Sequence, residues 1–140
     1  MKRTLSGLAL ALAALSPFLA SAAGADAALV KRGEYLARAA DCMACHTAEG
    51  GAPFAGGLPI QSPFGTIYGT NITPDKEHGI GAYSADEFFA ALTEGKRKDG
   101  AYLYTAMPYT SYHLIEREDA DAIYAYLMAQ DRKSTRLNSS

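Results

Sequence analysis

The chain has 140 residues, one domain's worth, and 13 Lys or Arg against 15 Asp or Glu give it a formal charge of −2 at pH 7. Between residues 23 and 130 the balance is eight basic against fourteen acidic side chains, a charge of −6. An acidic domain of this kind is a poor partner for nucleic acid, and no internal repeat or low-complexity tract suggests an array.

At the N-terminus Lys2 and Arg3 precede an apolar run from Leu8 to Ala20, followed by the small residues "ASAAGADA". This is the layout of a secretory signal peptide, with cleavage expected after Ala22 and Ala27 as the alternative. The run is 13 residues long and holds Pro17, whereas a spanning helix needs roughly 20. Residues 1–22 are therefore expected outside the fold, and no other segment is apolar enough to cross a membrane.

Next comes a helix over about 28–41, in which Leu29, Gly33, Leu36, Ala37 and Ala40 share one face at helical period and which runs into Cys42. The stretch from Gly50 to Gly81 is thick with Gly and Pro. It is too long for an unstructured connection unless an internal ligand organises it, and "GTIYGTNIT" within it suits an extended turn. A second helix starts at Ser84 with the capping box Ser84-x-x-Glu87, carries Phe88, Phe89 and Leu92 on one side, and stops at Gly95. Lys96, Arg97 and Lys98 then form a basic cluster, most simply a solvated loop and otherwise a docking patch.

A loop around Met107 and Pro108 leads to a third helix over about 117–129, lining up Ala120, Ile123, Tyr124 and Leu127 without an obvious Ser or Thr cap. Gly33 offers no bulk where Tyr124 and Leu127 offer much, so the first and third helices are expected to cross there. After Gln130 the composition changes abruptly to "DRKSTRLNSS", which resembles the translation of a sequencing adapter. Residues 131–140 are accordingly expected to be an artefact of a gene cut near Gln130, leaving 23–130 as the domain.

The chemistry centres on "CMACH", which holds the only two cysteines, Cys42 and Cys45, with His46 directly behind. Positions i and i+3 are neighbours on a helical turn, so both thiols can add to the vinyl groups on one edge of a haem and His46 can come under its iron. Two plainer readings compete. A disulfide or thioredoxin-like pair is compatible with export, but such motifs follow a strand and this one ends a helix. Zinc is weaker, because His78 and His113 lack finger spacing. A domain near 110 residues buries only about two-thirds of its surface, so an apolar cofactor would add much to its core.

If haem is bound, a second axial ligand must come from distant sequence. Met43 lies within the attachment turn and cannot reach the opposite face, and Met128 at a helix end is more simply core filler. Met107 is the stronger candidate, because Pro108 biases it away from helix and its loop can cross the cofactor. His113 is the reserve candidate, and His78 suits a solvated loop.

The order of helix, CMACH, Gly/Pro loop, short helix, Met-Pro loop and C-terminal helix resembles a class I cytochrome c domain. "CMACHTAEGGAPFAGG", "SPFGTIYGTNITPDKEHGIGAYS" and "KDGAYLYTAMPY" resemble, more narrowly, the first haem domain of the cytochrome c subunits of bacterial membrane-bound alcohol, gluconate and sorbitol dehydrogenases. The resemblance covers nearly all of 28–130. It implies an all-α fold of three main helices and Gly/Pro-rich loops around one covalent haem c, with Cys42 and Cys45 attached and His46 and Met107 on the iron.

It further implies an electron carrier and not an enzyme. Electrons would come from a dehydrogenase catalytic subunit in the periplasm and pass toward ubiquinone or a terminal oxidase. Those subunits resemble three such domains in a row with a C-terminal anchor, so membrane association is expected only through a missing C-terminal part or partner subunits. By the same analogy the Pro59 carbonyl would orient His46, and Tyr68, Asn71 and Tyr104 would bond the haem propionates, although the chain lacks the tryptophan some relatives use there. A free mono-haem shuttle is the alternative carrier, and a haem peroxidase or thiol oxidoreductase is the alternative of another class.

Overall fold

A computed structural model describes residues 16–130, with side chains from Asp26 onward. The expected tail at 131–140, and the expected signal peptide apart from the backbone of 16–22, lie outside the described residues. The elements in order are α1 (Ser16–Ala39), α2 (Cys42–His46), β1 (Pro59–Ser62), β2 (Gly65–Tyr68), α3 (Ala85–Glu94), α4 (Tyr109–Tyr112) and α5 (Arg117–Met128).

The three expected helices are α1, α3 and α5, but the fold is not purely helical. Pro59–Ser62 and Gly65–Tyr68 form an antiparallel hairpin, with Pro59 opposite Tyr68 and Ile60 opposite Ile67. Its second strand lies in the expected extended turn "GTIYGTNIT", and the turn is closed by the Ser62 hydroxyl donating to the Gly65 carbonyl at 2.7 Å.

The first helix also differs from expectation at both ends. It is already helical at Ser16, the first described residue, so the proposed cleavage positions fall inside it, and it does not run into Cys42. Asp41 adopts the left-handed conformation with φ 54°, which Asp tolerates better than most residues. That one residue ends α1 and re-aims the chain, so "CMACH" forms its own short helix.

α1 and α5 cross at Gly33. A Cβ placed there would lie 1.8 Å from the Ala122 carbonyl oxygen and 2.8 Å from the Tyr126 Cβ. The crossing is where the sequence puts it, but the nearest atoms are those of Ala122 and Tyr126 rather than Tyr124 and Leu127. Ala120, Ala122, Ile123 and Leu127 are buried, and Arg32 Nε reaches Asp119 at 2.8 Å along the rim of the same interface.

α3 follows its sequence signals closely. Ser84 Oγ accepts from the Glu87 N–H at 3.2 Å while Glu87 Oε2 accepts from the Ser84 N–H at 2.8 Å, and Gly95 closes the helix at φ 66°. Phe88 and Leu92 face the core, and the Phe88 ring packs at 5.2 Å from that of Tyr124. α5 lacks a side-chain cap at Glu116; Arg117 instead ties its first turn to Asp121 at 2.8 Å and to Asp86 of α3 at 2.6 Å.

The Gly/Pro segment supplies much of its own order. Phe54 is 2% exposed and sits edge-on to Tyr126, with ring centroids 5.9 Å apart. Its N–H donates to Thr47 Oγ1 at 3.0 Å and its carbonyl accepts from the Ile72 N–H at 2.9 Å. Asn71 Oδ1 accepts from the Thr73 N–H at 2.9 Å and from its hydroxyl at 2.5 Å. One buried aromatic and a polar turn thus pin part of the segment from within.

Candidate functional site

One cavity lies between these elements, with about 1070 Å³ of empty space counting its open mouth. Ile72, Ile80, Phe88, Leu92, Ile123 and Leu127 belong at once to the hydrophobic core and to the cavity wall. The core is therefore built around a space. No buried side-chain nitrogen or oxygen among the described residues lacks a hydrogen-bond partner, so the wall makes little polar demand on an occupant.

Cys42, Cys45 and His46 line this cavity, and so does Met107 from a loop more than sixty residues away in sequence. The left-handed Asp41 and the single turn of α2 place both cysteines on the wall. Burial, opposed by a backbone hydrogen bond and helped by neighbouring Asp41 and Cys45, pushes the Cys42 thiol up to about 11. A thiol so protonated is a poor redox nucleophile at neutral pH, because the thiolate is the reactive form.

His46 is oriented by the Thr70 carbonyl, 2.7 Å from its Nδ1. Burial lowers its pKa below the usual 6.5, with the Thr70 carbonyl partly opposing, so the ring is neutral at pH 7. With Nδ1–H donating to Thr70, Nε2 is left as the free lone pair, the form in which imidazole binds a metal.

The expected partner, Pro59, does not hold this position. It is exposed on β1 opposite Tyr68, whereas Gly69 lets the following backbone approach α2 so closely that a Cβ there would lie 1.8 Å from the Cys45 carbonyl oxygen. The signal for Thr70 was the glycine before it.

Of the residues expected near the cavity edge, Tyr68 and Tyr104 line it and remain 66% and 48% exposed, which places their hydroxyls near solvent. Asn71 does not join them. Its side-chain oxygen is committed to Thr73 in the turn described above, and the residue is not part of the wall.

The reserve ligand His113 is exposed, with Nδ1 held 2.6 Å from the Thr110 carbonyl. Met128 packs against the core without reaching the cavity, and Met43 is exposed. His78 is exposed beside Asp75, at 3.6 Å. Sequence reasoning missed Thr70 and Gly69, and it did not foresee that the Tyr112 hydroxyl donates to the Ala40 carbonyl at 2.8 Å just ahead of the CMACH turn.

The cytochrome c family model matches residues 30–131. This chain belongs to the cytochrome c family. Among its relatives, this cytochrome c chain is 59% identical over 121 residues to the gluconate 2-dehydrogenase cytochrome c subunit of Pantoea cypripedii, covering 86% of the chain and 27% of the relative. It is 57% identical over 120 residues to the cytochrome c subunit of the quinone alcohol dehydrogenase of Gluconobacter oxydans, covering 86% and 25%. It is 54% identical over 102 residues to the fructose dehydrogenase cytochrome subunit of Gluconobacter japonicus, covering 72% and 21%. The chain spans about a quarter of the length of these curated relatives.

A cytochrome c domain carries covalent haem c, and the single C-x-x-C-H run suits one such group. The residues present fit it: a large apolar cavity, two thiols one helical turn apart on its wall, and a neutral, oriented imidazole beside them. Among the described residues no helix is long and apolar enough to cross a membrane.

Proposed function

We propose that this chain is the haem domain of an electron-transfer subunit that accepts electrons from the catalytic subunit of a membrane-bound dehydrogenase. In this reading Cys42 and Cys45 form the thioether links, His46 and Met107 bind the iron from its two sides, and Tyr68 and Tyr104 serve the propionates at the mouth. Residues 23–130 form the working unit, exported behind residues 1–22 to the periplasm, and ubiquinone or a terminal oxidase takes the electrons onward.

The observation that carries the reading is the convergence of Cys42, Cys45, His46 and Met107 on one apolar cavity. When bound, the haem supplies a one-electron couple at its iron. The chain contributes the rest: the Thr70 carbonyl holds the His46 ring and its tautomer, Met107 offers a soft thioether that favours the reduced state, and the Ile, Leu and Phe wall excludes water. With His46 and Met107 both holding the iron no open position would remain, which favours a carrier over a peroxidase. The raised Cys42 pKa disfavours thiol chemistry, and the names of the relatives favour a dehydrogenase subunit over a free shuttle.

Potentiometric titration of the haem-loaded protein tests this. A reversible one-electron curve with no turnover of hydrogen peroxide is expected. Rapid peroxide turnover by the unmodified protein would contradict the carrier reading.

A further inference from the structure

The loop that holds Met107 hangs from the end of α3. Gly95 touches both of its arms: its carbonyl accepts from the Leu103 N–H at 2.7 Å on the way in, and on the way out the Tyr109 ring lies where a Gly95 Cβ would be, 2.7 Å from the nearest ring carbons. Lys96 pairs with Tyr102 in an antiparallel bridge, and the Arg97 N–H donates to the Ala101 carbonyl at 2.7 Å. Between these arms the backbone is short and internally bonded. The Met107 N–H donates to the Tyr104 carbonyl at 3.0 Å, and the Tyr109 N–H to the Met107 carbonyl at 2.8 Å.

A glycine ending a helix is ordinarily explained by its φ alone. Gly95 has that reason, at φ 66°, and a second one that acts at a distance. Tyr109 is two residues from Met107 and joined to it by a backbone hydrogen bond, so displacing the ring from Gly95 strains the Met107–Pro108 segment. Tyr112, one turn further on, is tied to the Ala40 carbonyl, so the loop cannot absorb the shift by swinging away at its far end.

We propose that Gly95 is a positioning residue: the bare face it presents to the Tyr109 ring sets how firmly Met107 holds the distal side of the cavity. The proposal rests on the reading of Met107 as the distal iron ligand. Gly50 provides the control, because it has nearly the same positive φ, 69°, with nothing within 4 Å of a Cβ. Gly50→Ala therefore carries the backbone strain without the collision.

The test is titration of the ferric haem-loaded protein with imidazole, which binds iron only in molecules whose distal ligand has let go. Apparent affinity follows the fraction of molecules in that open form, so Gly95→Ala is expected to bind imidazole about tenfold more tightly than the unmodified protein, and Gly50→Ala within about twofold of it. Gly95→Asn, which tolerates the left-handed conformation but adds a Cβ, is expected to follow Gly95→Ala and serves if the alanine variant does not fold. Met107→Ala is the reference for an open site. If Met107→Ala tightens binding while both Gly95 variants match Gly50→Ala, the positioning role is wrong and the ligand assignment stands. If Met107→Ala leaves the affinity unchanged, the ligand assignment fails and the positioning role fails with it.

Discussion

His46 Nδ1 lies 2.7 Å from the carbonyl oxygen of Thr70, and this contact exists because Gly69 lets the two backbones meet. A methyl group at Gly69 would strike the Cys45 carbonyl at 1.8 Å. Gly69→Ala is therefore expected to push residues 69–70 off α2, cost about 1–3 kcal/mol through overpacking, and free the His46 ring. Denaturant titration reads the first effect. Faster solvent exchange of the His46 ring N–H in the haem-loaded protein reads the second, and unchanged exchange would mean that Thr70 does not hold the ring.

The α1–α5 crossing makes a prediction independent of the cofactor. Gly33→Ala places a Cβ against the Ala122 carbonyl oxygen at 1.8 Å, a backbone atom inside a helix that cannot rotate away. The loss is expected to be about 1–3 kcal/mol, larger for Gly33→Val, and to appear as a lower denaturation midpoint at unchanged slope.

How much of this was written in the sequence depends on whether the cause was local. The α3 boundaries were legible because Ser84, Glu87 and Gly95 act within one turn of the residues they cap. The crossing at Gly33 was legible because a missing side chain on an apolar face invites close approach, but its partners were offset, since helix rotation is set by the whole interface. The place of Met107 on the cavity wall was legible through Pro108. The hairpin was legible only as an extended turn in "GTIYGTNIT", and the Thr70 carbonyl and the anchoring of Phe54 were not legible. Each depends on backbone meeting backbone or ring across a loop, where side-chain identity says little, and the bond of Asn71 Oδ1 to Thr73 is a local turn of the same kind. The break at Asp41 was hidden by apolar periodicity that continues through Ala40.

Acid should weaken the fold partly through α3. Glu87 accepts the Ser84 N–H and lies near Lys98, which together hold its carboxyl below the usual 4.5. A carboxylate with a depressed folded pKa stabilises the protein above the unfolded value, and that contribution is lost as pH falls from about 4.5 through the folded pKa. Glu87→Gln keeps an acceptor for Ser84 but cannot titrate, so its denaturation midpoint should fall less steeply than that of the unmodified protein in this window. Equal slopes would mean that Glu87 is not depressed. Asp75, held below 3.8 chiefly by the His78 and Glu77 N–H groups, should act in the same sense at lower pH.

Attachment of the cofactor is expected through the Cys42 and Cys45 thiols. Produced in a periplasm equipped for haem ligation, the protein should keep its red colour through acid-acetone extraction and stain for haem on denaturing gels. Replacing Cys42 and Cys45 together with Ala should remove the stain entirely, and a variant that kept it would place the attachment elsewhere.

The most direct test of the account is the optical spectrum of the ferric protein with and without Met107, followed by reduction under carbon monoxide. The unmodified protein is expected to be low-spin, to show the thioether-to-iron charge-transfer band, and to bind carbon monoxide poorly once reduced. Met107→Ala should lose the band, fall in potential and bind carbon monoxide readily, while His113→Ala and Met128→Ala stay unchanged. A Met107→Ala protein that kept the band and its low-spin character, with His113→Ala losing it, would contradict the distal assignment and with it the closed iron on which the carrier function depends.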